Sequence, residues 1–369
     1  MSGAASAAPR AQPLPPLGDA LPLQGCTRAL VVKLRHHGDV LLATPVLNVL
    51  KGRAPSLEID ALVYHDTAPM LEGHPALSRI HTVGRAWRTL AMFRRLSHET
   101  ALFRQLRARR YDLIVNLTEH PRGAWLARML RPRYSVAPKM PSRGAFWRKS
   151  FTHLYPIVPR RHQVEVDLDA LRRIGVQPAL DERRLGFVPG PDAEARVATL
   201  VPEKNFILMQ PGSRWRFKCW TAEKNAELID RLAGEFHVVV TSAPSAEEVE
   251  FNRQIFARMR ARATNLAGLP IKELGALTAR ARLFIGVDSM PMHLAAAMGT
   301  PTVALFGPTG ENEWRPWSVP ARVVTSRHTC RPCGQDGCGG GKISECLTSL
   351  PVDQVHAAVR ELLAETPAR

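Results

Sequence analysis

The stretch FIGVDSMPMHLAAAMGTPTVALFG, residues 284–307, limits the fold of this chain more than any other. A β-compatible run ending at Val287 leads into Asp288 and Ser289, and a short apolar helix carrying His293 follows. Gly299 and Pro301 stop that helix before a second apolar strand at 302–306. Strand, acidic turn, helix and strand in this order make half of a parallel βαβ unit. The unpaired amides at the start of such a helix, and the positive end of its dipole, suit a diphosphate. From spacing alone, a helix simply capped by Asp288 and Ser289 accounts for the same residues.

A second stretch decides between them. In ALVVKLRHHGDVLLATPVLNVL, residues 29–50, an apolar strand runs into a His-His-Gly-Asp turn and then an amphipathic segment. Gly38 permits a tight turn, and Asp39 stands where the carboxyl end of a strand opens onto a cleft. Strand-like runs at 29–34, 57–64, 79–83, 111–117 and 133–137 alternate with helical patterns, and 162–174 reads as a helix. The pattern restarts with strands at 206–210, 237–242, 283–287, 302–306 and 321–325, and helices near 221–235, 246–259, 271–281, 290–298 and 351–365. Alternation at this spacing argues for parallel sheets covered by helices. The boundaries expected are an Ala/Pro-rich disordered tail at 1–27, a first domain at 28–175, a linker at 176–204, a second domain at 205–350, and a terminal helix and tail at 351–369. Ligands of such sheets sit beyond the carboxyl ends of strands, and Asp39, Ser213, Lys218, Asp288 and Ser289 all follow strands.

Charge narrows the partners. Residues 1–184 hold 29 Lys and Arg against 14 Asp and Glu, whereas 185–369 hold 21 against 19. Arginines crowd 85–110 and 122–149, and the second of these stretches contains no acid. Such a field attracts polyanions: nucleic acid, anionic lipid headgroups or a phosphorylated saccharide. No zinc-finger, helix-turn-helix or RNP-type pattern accompanies it, which argues against a specific nucleic-acid partner. No apolar run reaches 18 residues, so no transmembrane helix is expected, and the first 25 residues lack the basic start and apolar stretch of a signal peptide. Cys330, Cys333, Cys338 and Cys346 offer four thiolates in one loop, chemically sufficient for a structural zinc; reduced thiols are the alternative.

The runs KLRHHGDVLL and GVDSMPMHLAAA, with QPGSRWRFKCW at 210–220 between them, resemble the glycosyltransferase family of ADP-heptose:lipopolysaccharide heptosyltransferases. The RHHGDVLL wording is most similar to the heptosyltransferase III branch, and the resemblance covers roughly residues 28–362. It implies a GT-B fold, two Rossmann-like doubly wound domains facing a cleft. It implies an inverting, metal-independent transfer of L-glycero-D-manno-heptose from ADP-heptose to an inner-core heptose of lipopolysaccharide, the third heptose for this branch, with no cofactor. The location it implies is cytoplasmic, peripheral at the anionic inner face of the cytoplasmic membrane.

Residue by residue, the resemblance makes Asp39 the catalytic base and Lys218 the cation that meets the donor diphosphate, with Ser213 beside it. An acid near the donor ribose falls on Glu247 in preference to Glu248, and Asp288, Ser289 and His293 line the donor side. Arg122, after the strand at 111–117, matches a basic residue that meets an acceptor phosphate. Lys33 and Arg35 lie on the opposite strand face from Leu34, and their reach is not fixed by the sequence. Asp167 and Asp169, two apart on a helix, point to different faces and do not suggest shared metal coordination. Two other readings stay open: the same donor with a protein or other glycan as acceptor, and a non-catalytic, nucleotide-regulated module that binds RNA or membrane.

Overall fold

The alternation of apolar and amphipathic runs builds two six-stranded sheets, parallel throughout. The computed structural model describes residues 18–367. The first sheet contains β1 Arg28–Val32, β2 Glu58–Tyr64, β3 Leu77–Val83, β4 Leu113–Asn116, β5 Tyr134–Pro138 and β6 His153–Tyr155, in the order β3-β2-β1-β4-β5-β6. The second contains β7 Ile207–Gln210, β8 Val238–Ser242, β9 Thr264–Ala267, β10 Leu283–Val287, β11 Thr302–Phe306 and β12 Ala321–Thr325, in the order β12-β11-β10-β7-β8-β9. Numbered from its own first strand, the second sheet repeats the topology of the first. Each is doubly wound, with a switch point where the strand order reverses, between β1 and β4 in one and between β7 and β10 in the other. Two Rossmann-like domains facing a cleft are the GT-B arrangement expected.

Helices of the first domain are α1 His37–Leu42, α2 Thr44–Arg53, α3 Met92–Arg109, α4 Pro121–Leu130, α5 Gly144–Arg148 and α6 Gln163–Arg173. Those of the second are α7 Pro191–Leu200, α8 Ala222–Leu232, α9 Ala246–Phe256, α10 Ile271–Arg280, α11 Met290–Ala297, α12 Glu311–Trp314, α13 Glu345–Thr348 and α14 Val352–Glu365. Central strands β4, β8, β10 and β11 are buried along their whole length, as helices on both faces require. The edge strands β6 and β9 were not legible in the sequence; they are three and four residues long and carry no apolar run.

Two boundaries differ from expectation. The linker at 176–204 is irregular only as far as Gly190, because Pro191 opens α7, whose Ala193 and Val197 join the core beneath Phe206 and Leu208. The disordered tail expected at 1–27 lies outside the described residues up to 17. From residue 18 the chain packs on the first domain, with Leu23 and Cys26 buried and Asp19 ion-paired to Arg173.

The domains meet through an apolar seam. Leu274, Leu294 and Ala296 of the second domain belong to the same core as Phe187 and the α1–α2 side chains of the first. Trp317 donates its indole N–H to the Arg183 carbonyl at 2.7 Å and lies against the His162 ring. His162 Nδ1 accepts from the Val164 N–H, capping α6, while its Nε2 meets the Arg315 carbonyl at 2.9 Å. One bond needs a bare nitrogen and the other a protonated one, so the neutral Nε2–H tautomer satisfies both.

Burial holds the His162 pKa down at about 4, against 6.5 for a free side chain. The unfolded chain therefore binds a proton below pH 6.5 that the folded chain refuses until about pH 4, and stability falls as pH drops through that window, by about 3 kcal/mol at most. Denaturant midpoints measured between pH 7 and pH 4 should fall, and His162→Gln should flatten that fall. An unchanged slope in the variant would show that His162 does not carry it.

Candidate functional site

Both switch points open onto one cavity of about 650 Å³ between the domains. The first domain contributes the β1–α1 turn, His36 to Asp39; the second contributes the β7 loop through Lys218, the loop after β8, and the β10–α11 turn from Asp288 to Pro291. The cavity is thus built from the strand ends where a doubly wound sheet leaves its crevice. A smaller recess of about 190 Å³, reaching into the first domain, shares Asp39 and Trp314 with it. Asp39 stands where the two meet.

The carboxylate of Asp39 is held from both sides. Oδ2 accepts from the His36 backbone N–H at 3.3 Å, as an acid in the third helical position does when it closes a capping box. Oδ1 lies 3.6 Å from Arg35 Nε. The capping role is therefore present, and it fixes the side chain at the cavity wall.

At Gly38, beside it, a Cβ would stand 3.1 Å from His293 Cδ2, across the domain boundary and closer than ordinary van der Waals contact. His293 is buried against it with its Nδ1 unpaired, and burial lowers its pKa, keeping the ring neutral at pH 7.

On the opposite wall Lys218 Nζ donates to Asp288 Oδ2 at 2.7 Å, with both side chains largely shielded from water. Lys218 is held there by the tight turn Arg216–Lys218, which Phe217 and Cys219 anchor in the core, ahead of α8 with its Thr221 cap. Ser213 lines the same loop, and its Oγ accepts from the Trp215 N–H at 3.3 Å. Ser289 stands at the N-cap position of α11 without a side-chain capping bond, its Oγ donating to the Val287 carbonyl at 3.2 Å, and the first turn of the helix faces the cavity.

At the far end Glu248 lines the cavity, and Glu247, expected to meet the donor, does not. Ser245 caps α9 and accepts from the Glu248 N–H, so Glu248 occupies the third helical position and turns back over the β7 and β8 loops. It accepts from the Ala243 N–H and from Gln210 Nε2, each at 3.2 Å, and burial raises its pKa. Glu247, one residue earlier, is exposed and off the cavity wall. The S-x-x-E spacing of a capping box was the signal that separates them. Beside Glu248, Pro244, Leu269, Pro270 and Ile271 form an apolar wall.

Arg122, expected to meet the acceptor, also lies off the cavity wall. Both of its terminal nitrogens bind Glu99 of α3, so it points into the groove between α3 and α4 and lines neither the cavity nor the recess. The recess is instead faced by Arg35, Arg160 and Arg161. Arg161 is engaged by Asp169 and Glu165, and Arg160 is exposed. Deeper in, Lys33 Nζ bonds both Asp167 oxygens at 2.8 Å, a pair almost wholly removed from water. Asp167 and Asp169 thus serve different cations, and among the described residues no group of three or more His, Cys, Asp or Glu side chains is arranged to hold a metal ion. The zinc expectation at Cys330, Cys333, Cys338 and Cys346 takes no support from the geometry; all four thiols are free.

Comparison with known proteins agrees with this architecture. The family model of glycosyltransferase family 9 (heptosyltransferase) matches residues 99–343. Lipopolysaccharide heptosyltransferase 3 of Escherichia coli K12 is 36% identical over 90% of this chain and 97% of its own. Among solved structures, a glycosyl transferase family 9 protein from Veillonella parvula superposes with a TM-score of 0.80 at 22% identity, covering 95% of this chain and all of the other. The E. coli heptosyltransferase WaaC with ADP superposes with a TM-score of 0.72 at 20% identity, covering 91% and 99%.

The buried pair gives a direct test of the recess. Asp167→Asn leaves the Lys33 charge uncompensated in the interior and should cost about 3–5 kcal/mol in chemical denaturation, whereas Lys33→Met with Asp167→Leu should cost far less. Equal losses would mean that the pair stabilises the fold outright.

Proposed function

The chain belongs to glycosyltransferase family 9 and transfers heptose in lipopolysaccharide core biosynthesis, and on that premise we propose that it does so by a single inverting displacement with Asp39 as base and Lys218 as the cation for departing ADP. The observation that carries this is the placement of a fixed carboxylate and a shielded ammonium on facing walls of one cavity.

ADP-heptose enters the larger cavity with its nucleoside end between Glu248 and the wall of Leu269, Pro270 and Ile271. Glu248 accepts from the ribose hydroxyls, the apolar wall covers the adenine face, and the diphosphate reaches Lys218, Ser213 and the first turn of α11. Lys218 exchanges Asp288 for phosphate oxygens, so Asp288 stores the ammonium in position before the donor arrives. The acceptor heptose occupies the recess. Asp39 takes the proton from its hydroxyl as that oxygen bonds to the anomeric carbon, and the bond from that carbon to the diphosphate oxygen breaks with the electron pair leaving on ADP. No side chain need bond to the sugar, so the anomeric configuration inverts. Lys218 supplies the positive charge that a divalent metal supplies elsewhere, which makes the transfer metal-independent.

Arg35 and Arg160 take the role first sought in Arg122, meeting anionic groups of the phosphorylated core. The acceptor we propose is a core already bearing two heptoses, making this the third. No helix of the described residues is long and apolar enough to cross a membrane. The basic first domain holds the enzyme, from the cytoplasmic side, at the anionic inner face of the membrane where such acceptors are built.

Purified enzyme with ADP-heptose should add one heptose to a two-heptose core and none to a one-heptose core, read by mass spectrometry, and a chelator should leave the rate unchanged. Addition to the one-heptose core, or collapse with chelator and rescue by magnesium, would overturn the corresponding assignment. Asp39→Asn should lower turnover by about a hundred- to ten-thousand-fold while ADP still binds. Glu248→Gln should weaken ADP binding about tenfold and Glu247→Gln should not; the reverse order would restore Glu247.

A further inference from the structure

The first domain exposes an apolar face that its core does not use. In α3 the buried positions are Leu102 and Leu106, in its second half, while its opening turns project beyond the core. There Met92 is 74% and Phe93 81% exposed, with Leu96 following one turn on, so the three share one side of the helix. Leu96 lines a groove of about 420 Å³ together with Trp125 and Met129 of α4. Trp125, 56% exposed, packs against Phe146 of α5 at 4.8 Å between ring centres. Three helices thus present one continuous patch of large apolar side chains, rather than the single exposed residues any surface carries.

The charge around this patch has one sign. Residues 122–149, which include α4 and α5, hold eight Lys and Arg and no acid. Arg128 lies over the Phe146 ring, and Arg131, Arg143, Arg148 and Lys149 are exposed nearby. Residues 85–98 likewise hold only basic charges. The acid that follows, Glu99, is taken up by Arg122.

The place of the patch in the fold matters as well. α3 enters from the carboxyl end of β3 and α4 leaves the carboxyl end of β4, so Met92, Phe93 and Trp125 lie towards the edge of the sheet where the recess opens. Ile157 and Val158, both exposed, add apolar side chains at the lip of the recess that contains Asp39.

We propose that this face of α3, α4 and α5 docks on an anionic lipid bilayer, with Met92, Phe93, Leu96 and Trp125 entering the headgroup layer and the surrounding arginines meeting lipid phosphates. Apolar and aromatic side chains ringed by cations are what an interfacial surface requires. A second copy of the chain would bring like charge against like charge, and a nucleic-acid backbone gives the apolar side chains nothing to cover. Docked this way, the recess opens at headgroup level, where the sugars of a lipid-anchored acceptor begin. The inference deepens the transferase reading by naming the surface that meets the acceptor's membrane.

The test is co-sedimentation of the full chain with vesicles of phosphatidylethanolamine and phosphatidylglycerol, beside vesicles of phosphatidylcholine alone. Binding should require phosphatidylglycerol and weaken with salt. Phe93→Ser with Leu96→Ser and Trp125→Ser, all at exposed positions, should lower the partition coefficient about tenfold or more, as should Arg128→Glu with Arg131→Glu and Arg143→Glu. Heptose transfer to a water-soluble, O-deacylated core should stay at the wild-type rate in both variants, while transfer to vesicle-borne acceptor falls. Wild-type protein that transfers to the soluble core yet ignores anionic vesicles would sink the docking face and leave the transferase reading intact. Vesicle binding without any transfer would sink the transferase reading alone. Unchanged vesicle binding in the serine variant, or conversion of a wild-type dimer to monomer by the same substitutions, would also overturn the docking face, the latter by making it a self-interface.

Discussion

The close approach of Gly38 to His293 is the constraint from which the rest of the site follows. Two domains with independent sheets can share a reaction only if a turn from each reaches the same point, and here the β1–α1 turn and α11 meet with only the His293 ring between Gly38 and the helix backbone. Asp39 is held at the wall because its own backbone turn is fixed by that contact. Asp288 and Ser289 face the cavity because the helix they open is the one that touches Gly38. The apolar seam of Leu274, Leu294 and Phe187 keeps the two turns in register from behind.

Charge within this frame is paired in advance rather than left open. Lys218 rests on Asp288, Lys33 on Asp167, and Arg35 beside Asp39. The Lys33–Asp167 pair is almost wholly buried, and there a lone ion would be costly, so it serves as a fixed floor to the recess. Lys218 remains partly exposed, as the proposed exchange of Asp288 for phosphate oxygens requires. The difference in exposure, not in chemistry, separates a structural ion pair from one suited to handling substrate.

The sequence revealed those parts of the fold and site that depend on local pattern. Strands 283–287, 302–306 and 321–325 match to the residue because short β-branched and apolar runs there are bounded by Asp288, by Pro301 and Gly307, and by Pro320. Asp39, Ser213, Lys218, Asp288, Ser289 and His293 line one cavity because each lies in a loop or helix that follows a strand ending beside a switch point, a position that spacing reveals. Pairings across long separations were not legible. Arg122 finds Glu99 only when α3 folds against α4, and Lys33 finds Asp167 at a distance of 134 residues. Trp314, set where the two cavities join, belongs to a four-residue helix with no pattern to announce it. The choice of Glu248 over Glu247 was available, in the spacing from Ser245, but it depends on reading a cap rather than a charge.

The central claim is that the two half-sites work only when their turns touch, and turnover in a series at position 38 measures it most directly. Gly38→Ala and Gly38→Val add one and then three carbons against His293. Alanine is better than glycine in a helix by about 1 kcal/mol, so the first change should not lower stability through the helix itself. The account predicts that kcat falls in steps down the series, by about tenfold or more at valine, while each variant keeps its cooperative unfolding transition. Full turnover in both would contradict it, by showing that the domains need not approach this closely for transfer.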